Sequence, residues 1–117
     1  MVLVNNAKRF LAYRMISGNE NLIPTVTAIG SGSGTALVTE VVLVAEVRSG
    51  TFTTIDSGTK FEVSWVSDFS ATQMSGLGFR EFGLKNGVGS IWNREAFANV
   101  VFDGTNELQS EVIFTLF

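Results

Sequence analysis

The sequence predicts a mainly β protein, either an antiparallel β-sandwich or a β-barrel, with one short N-terminal helix in a single domain over residues 1–117. Three observations predict this class. Apolar and polar residues alternate with a period of two in several segments after Pro24. Turn signals such as Asn86-Gly87 and Asp103-Gly104 divide the chain into short pieces at intervals of roughly 8–12 residues. A helical spacing of apolar residues is found near the N-terminus.

The predicted helix covers residues 6–17 and precedes the first strand. Asn5 or Asn6 is able to cap its first turn, and Gly18 is typical of the residue that follows a helix end. Because an isolated helix of this length is only marginally stable in water, we expect it to pack against the sheets. Its apolar residues recur at the spacing of one helical face: Ala7, Phe10, Leu11 and Met15.

The first predicted strand covers residues 25–29, where β-branched residues alternate with other types. Residues 41–47 are apolar on both faces, which is typical of a strand that is buried on both sides or lies in an interface. The clearest alternation of apolar and polar residues is found in residues 60–66. Further strands, or pieces of strands, are predicted over residues 51–55, 77–84, 90–97, 98–102 and 108–117.

Two connections between these strands carry local signals. Residues 67–76 are the least regular stretch, and we expect a loop with a helical turn that starts at Ser67 or Asp68. Asn86-Gly87 is expected to supply the positive φ angles of a tight hairpin.

The composition favours an assembling protein over a small, fully solvated monomer. Charged residues make up 16% of the chain and hydrophobic residues 45%, whereas globular proteins average about 25% charged residues. We therefore expect part of the surface to be covered in an oligomer. The sequence ends at Phe117 inside the last predicted strand, so we expect this strand to belong to the core and the terminus to serve assembly.

The same composition argues against several classes of function. The net charge of −3 provides no basic footprint for nucleic acid. The lack of cysteine excludes disulfides and thiolate metal sites, and the lack of histidine removes the commonest general base and metal ligand. The N-terminal residues lack the pattern of a secretory signal, and the longest apolar run, residues 41–45, is too short to span a bilayer.

The charged residues near the two ends of the sequence have opposite signs. The only charged residues before Glu20 are Lys8, Arg9 and Arg14. The only ones after Phe102 are Asp103, Glu107 and Glu111. The two groups either pair, within one subunit or between neighbours, or form separate solvated faces of a helix and a strand.

The glycine loop at residues 30–34 lacks the pattern of a nucleotide site. A dinucleotide fingerprint needs its third glycine one place later and a helix after it, and a P-loop needs Gly-Lys-Ser or Gly-Lys-Thr. We expect a mobile loop, or one that becomes ordered only against a neighbouring molecule.

The carboxylates are not brought together in pairs by local spacing, and we predict no catalytic residue, no metal site and no cofactor. Arg80 and Glu81 point to opposite faces if their segment is extended, so one of them faces inward and needs a partner. Arg94 or Glu95 on the next strand is the candidate partner, which predicts a structural ion pair at this hairpin. The carboxylates considered are Asp56, Glu62, Asp68, Glu81 and Glu95.

The two tryptophans differ in their sequence surroundings. Trp65 shares an apolar row with Phe61 and Val63, which predicts a place in the core. Trp92 lies beside polar residues and close to a turn, so it is either a core residue or exposed in an interface or a sugar-stacking surface.

The order of several motifs is informative beyond composition. Asn6-Ala7-Lys8 opens the helix, an IGSGSG loop follows a strand, and TALVTEVVLVAEVR comes next. The second half contains a hairpin pattern made of Glu81, Gly83, Leu84, Gly89, Ile91, Arg94 and Phe97, followed by ELQSEVIFTLF. This arrangement resembles small virion proteins of tailed bacteriophages, with an extra TEVV stretch at residues 39–42 as a departure.

The resemblance rests on residues that shape a fold and includes no catalytic signature. It implies a non-enzymatic virion component of the tail, tail-fibre, adaptor or head-decoration type. Such a subunit assembles with itself and with other virion proteins, without nucleic acid or membrane. The alternatives are a carbohydrate- or receptor-binding β-sandwich module that contacts a host-surface glycan or receptor, and an enzyme that uses two carboxylates. The residues predicted to form an interface are Lys8, Arg9, Arg14, Val41, Val42, Leu43, Trp92 and Phe117.

Overall fold

The structure, a computed structural model, describes residues 2–10, 22–56 and 62–115. Within them the chain forms eight strands and two helical segments. In chain order these are β1 (Val2–Leu3), α1 (residues 5–10), β2 (Pro24–Gly30), β3 (Glu46–Thr51), β4 (Thr54–Asp56), β5 (Glu62–Phe69), α2 (Ala71–Met74), β6 (Gly78–Asn86), β7 (Asn93–Val101) and β8 (Leu108–Thr115).

The strands form two antiparallel sheets that pack as a sandwich, which confirms the predicted mainly β class with a short N-terminal helix. The large sheet has five strands in the order β1-β7-β6-β2-β3, and the small sheet has three in the order β4-β5-β8. A buried hydrogen bond of 2.8 Å between the hydroxyl groups of Thr27 and Ser67 joins the two sheets. Because both hydroxyls are removed from water, each satisfies the polar group of the other.

Apolar side chains fill the space between the sheets in two clusters. One contains Val4, Ala7, Ala28, Leu43, Leu84, Ile91, Trp92 and Val112. The other contains Ile29, Phe69, Met74, Phe79 and Phe102. Ala7 on α1 is fully buried, so the described part of the helix packs on the core as expected.

The strand predicted at residues 41–47 is wrong, because β3 begins only at Glu46 and residues 31–45 contain no strand. The physical reason lies in the backbone donors. The N–H groups of Val44 and Ala45 donate to the Glu81 carboxylate, so they are not available for a ladder with a neighbouring strand. Leu43 alone of residues 41–45 is buried, and it anchors the segment to the core.

Residues 67–76 are more regular than expected. The strand β5 continues to Phe69, because its pairing with β8 extends to the Phe69–Leu108 pair. The helical turn α2 starts later than predicted, with Ser70 as its N-cap. Ser70 Oγ accepts from the backbone N–H of Gln73, and the Gln73 side chain accepts from the backbone N–H of Ser70, which makes a capping box.

The turn after β6 differs from the predicted tight hairpin. The positive φ of +87° is found at Gly89, and Asn86 keeps a negative φ at the end of its strand. Asn86 Oδ1 instead accepts the N–H groups of Val88 at 3.1 Å and Ser90 at 3.0 Å, which closes a wider turn. Gly104 has the positive φ expected of the turn before β8.

Some predictions fall on residues outside the described part of the chain. These are the helix beyond residue 10, Arg14, the start of the 60–66 strand with Phe61, and the terminal Phe117. Across the residues that are described, no helix has the length and apolar character needed to cross a bilayer.

Candidate functional site

A buried ion pair between Glu81 on β6 and Arg94 on β7 is the polar centre of the molecule. Both side chains are 0% exposed, and Arg94 Nε donates to Glu81 Oε1 at 3.0 Å. This confirms the structural ion pair predicted at the hairpin, with Arg94 as the partner. The two strands change register between Phe79 and Glu81, which turns Glu81 towards the segment of residues 31–45.

The Glu81 carboxylate also accepts three backbone N–H groups from that segment. Gly32 donates to Oε2 at 2.6 Å, Ala45 donates to Oε2 at 2.8 Å, and Val44 donates to Oε1 at 2.9 Å. Burial alone raises the pKa of Glu81, but the three N–H groups and Arg94 together hold that pKa below its ordinary value of 4.5. The carboxylate is therefore charged at neutral pH and saturated with donors.

Arg94 holds the same segment through its terminal nitrogens. Nη1 donates to the carbonyl of Gly34 at 3.2 Å and to Glu40 Oε1 at 3.1 Å. Nη2 donates to the carbonyl of Ser33 at 3.3 Å. The expectation of a mobile loop, or of one ordered only against a neighbour, is thus corrected: the loop is ordered against the ion pair of its own chain.

Glycine is required in this loop because the carboxylate approaches the backbone closely. A Cβ added to Gly30 would lie 2.5 Å from the Ala45 carbonyl oxygen and 2.8 Å from Glu81 Oε2. A Cβ on Gly32 would overlap Oε2 itself and lie 2.5 Å from the Val44 Cβ. These glycines therefore make room for a carboxylate of the same chain, and the Gly32 N–H is already used by it.

The ion pair and its hydrogen bonds hold the local structure and provide little capacity for catalysis. Glu81 is closed off by its donors, so it is not placed to take a proton from a substrate. Asp68 accepts from Gln109 Nε2 at 2.9 Å on the exposed surface. In the three described ranges no group of three or more acidic side chains is close enough together to hold a metal ion.

We expect the free energy of unfolding to fall at acid pH because of Glu81. Its pKa is lower in the folded chain than in the unfolded chain, so its contribution is present above the unfolded value near 4.5 and is lost as the pH falls towards the folded value. Urea unfolding measured between about pH 7 and pH 3 checks this. The Glu81→Gln variant, which does not titrate at this position, should lose less stability over the same interval.

The Glu81→Gln variant also separates the effect of Glu81 on acid stability from that of Asp103. The pKa of Asp103 is lowered by hydrogen bonds from the Thr105 hydroxyl and backbone N–H. Both chains keep Asp103, so its effect cancels. Equal acid sensitivity of the wild type and Glu81→Gln would contradict the assignment to Glu81.

The residues predicted to form an interface do not all reach the surface. Lys8, Arg9, Val41 and Val42 are exposed, and Arg14 and Phe117 lie outside the described residues. Leu43 and Trp92 are each 4% exposed, so their prediction as surface interface residues is corrected.

Trp92 is enclosed by groups that are distant in sequence. Its indole Nε1–H donates to the Leu22 carbonyl at 2.8 Å, and its ring packs against Phe10 and Phe114. Trp92 is 4% exposed, and with Trp65 and Phe114 it lines an apolar pocket of about 290 Å³, so only a small part of its ring is accessible for stacking on a sugar. Trp65, predicted to be in the core, is half-buried and packs against the edge of the first cluster.

An exposed apolar segment lies near the ion pair in residues 37–44. Sequence reasoning named Val41 and Val42 as interface residues but did not name Leu37, Val38 or Val44. We call this set the aliphatic loop, and its five members are between 47% and 60% exposed: Leu37, Val38, Val41, Val42 and Val44.

The backbone of the aliphatic loop is tied down although its side chains are not. The Val38 carbonyl accepts the N–H of Asn5 at 2.7 Å, and the Val41 carbonyl accepts the N–H of Ile91 at 2.9 Å. Leu43 is buried and the Glu81–Arg94 pair holds the residues on both sides. Exposed aliphatic side chains on a fixed backbone are typical of a protein-binding surface.

Comparison with protein-family models gives no match for this chain. Comparison with curated proteins gives no match either.

Proposed function

We propose that this protein is a non-enzymatic structural subunit of a tailed-phage virion, in the tail, a tail fibre or adaptor, or the head decoration, and that it acts by homo-oligomeric assembly. The observation that carries the assembly role is the aliphatic loop, with five exposed aliphatic residues held on a fixed backbone. The virion assignment is supported by the resemblance of the sequence motifs to small phage virion proteins.

The physical case for assembly is the burial of the aliphatic loop. Each of its side chains would gain free energy on leaving water, at about 25 cal/mol per Å² of apolar area. The Glu81–Arg94 pair fixes the loop before binding, so little conformational entropy remains to be lost on association. The low charge of the chain, at 16%, fits a surface that is partly covered by neighbours.

The buried ion pair between Glu81 and Arg94 is consistent with this role. Glu81 accepts from the N–H groups of Gly32, Val44 and Ala45, so the pair shapes the loop that meets the neighbour. The carbohydrate-binding alternative depends on Trp92, which is only 4% exposed but lines an apolar pocket together with Trp65 and Phe114.

A Val42→Asp/Val44→Asp double variant is expected to weaken self-association by about tenfold or more, because two carboxylates would have to be desolvated in the contact. Both valines are exposed, so the fold should be retained. Light scattering over a dilution series measures the mass of the wild type and the variant.

The matched control is Ile55→Asp, which places one carboxylate on an exposed aliphatic residue of β4 in the small sheet. It should associate like the wild type. A wild type that stays monomeric at all concentrations would contradict the proposal, and so would equal effects of the control and the double variant.

A further inference from the structure

An open groove lies beside the ion pair, where the large sheet loses its outer strand. The strand β1 pairs only with Asn93 and Arg94, so the outer side of β7 from Glu95 onward has no partner strand among the described residues. The groove has a volume of about 540 Å³. Its apolar lining includes Val2, Ala36, Ala96 and Ala98.

One charged side chain in the groove has a buried donor without a hydrogen-bond acceptor among the described residues. Arg80 lines the groove, and its Nε is buried with no acceptor among the described residues. Neighbouring Arg94 differs, because Gly34, Ser33 and Glu40 already accept from its terminal nitrogens. Glu95 also lines the groove, but no described residue accepts from Arg80 Nε, and a carboxylate ligand would match the planar donors of this guanidinium.

The same chain carries a surface that suits this groove. In the described part of the small sheet, β8 pairs on one side only, with β5, so its other edge is open. Glu111 and Ile113 lie two residues apart on the outward face of β8, about 7 Å from each other along the strand. Ile113 is 49% exposed, and Glu111 forms none of the ion pairs found among the described residues.

We propose that the groove receives the outward face of β8 from a second copy of this chain, with the Glu111 carboxylate on the Arg80 guanidinium and Ile113 against the apolar lining. The proposal rests on the self-assembly proposed above and names its contact. Lys8 is a weaker candidate partner for the acidic strand, because it stands exposed in solvent, where ion pairs contribute little.

The proposed contact is heterologous, since the groove of one copy meets the strand of the next. Repetition of such a contact produces a closed ring or an open filament, which are the forms that a virion component needs. The groove adjoins the aliphatic loop in sequence, because residues 34–36 line the groove and the loop begins at residue 37. Among the described residues the outer edge of β7 from Glu95 onward has no partner strand, so it can form main-chain hydrogen bonds with the incoming strand.

Charge exchange tests this contact in the full-length chain. Arg80→Glu and Glu111→Arg should each raise the dissociation constant of the assembly by about tenfold or more. A chain carrying both changes should recover most of the wild-type affinity, because every contact then joins opposite charges. An equal mixture of the two single variants should recover it as well where the two variants alternate, as in a filament or an even-membered ring. Light scattering over a dilution series measures each sample, and circular dichroism checks that each variant folds.

The matched controls are Arg48→Glu on β3 and Glu107→Arg before β8, which change exposed charges outside the contact and should shift the constant by less than about threefold. If Arg80→Glu does not fold, Arg80→Gln and Glu111→Gln replace the pair, and their effects should not add when combined. A wild type that assembles while all variants behave alike would overturn this contact and leave the assembly role intact. A wild type that is monomeric throughout would overturn both.

Discussion

Replacing Glu81 by alanine is expected to lower the free energy of unfolding by about 3–5 kcal/mol, the usual loss when one member of a buried ion pair is removed. The variant leaves the Arg94 guanidinium at 0% exposure without its carboxylate. It also leaves three buried or half-buried backbone N–H groups without an acceptor. Urea unfolding at neutral pH measures the change.

The matched control is Glu111→Ala, which removes an exposed carboxylate of β8 and should change the free energy of unfolding by less than about 0.5 kcal/mol. Glu81→Gln should fall between the two, because it keeps an acceptor oxygen for the N–H groups but loses the charge that faces Arg94. The comparison is made below the concentration at which the chain self-associates. A Glu81→Ala variant as stable as the control would contradict the central role of the ion pair.

The ion pair was within reach of sequence reasoning, whereas the loop that it organises was not. Alternation along β6 places one of two adjacent charged residues inside, and an inward charge needs a partner on the next strand. No comparable local pattern predicts the conformation of residues 31–45. Its N–H groups find their acceptor on Glu81, which is 36 positions further along the chain from Ala45.

Apolar composition was a misleading guide at this segment. A run such as Val41 to Val47 has high strand propensity, but propensity decides only when ladder partners are available. Here the donors of Val44 and Ala45 are taken by a side chain. The glycines at positions 30 and 32 were the remaining clue, because glycines at alternate positions also serve where another group approaches the backbone closely.

The tryptophans show a second limit of local patterns. Period-two alternation assigns Trp65 to an inward-facing row, and the structure places Trp65 there. The alternation does not indicate how much of each side chain in that row is buried. Trp92 has polar sequence neighbours and is nevertheless enclosed, because Phe10 from α1 and the Leu22 carbonyl reach it from elsewhere in the chain. Depth of burial is set by such tertiary contacts and not by neighbours in sequence.

The sequence pattern suggests that Trp65 is the more important core residue. The tertiary contacts predict the reverse, with the larger loss of stability at Trp92. Trp92→Ala should cost about 3–5 kcal/mol, because it empties a core position and leaves the Leu22 carbonyl without its indole donor. Trp65→Ala should cost about half as much, because its ring is half-buried and loses less apolar contact. Urea unfolding of both variants, analysed with a common dependence on denaturant, gives the two values.

The pair of variants is its own control, since both remove the same side chain from a strand or its border. Trp65 packs on Phe52 at the edge of the first cluster, whereas Trp92 joins α1 to both sheets through Phe10 and Phe114. Loss of Trp92 should therefore also release α1, which circular dichroism detects as reduced helical signal. A larger cost at Trp65 than at Trp92 would show that the tertiary contacts around Trp92 do not carry the stability assigned to them.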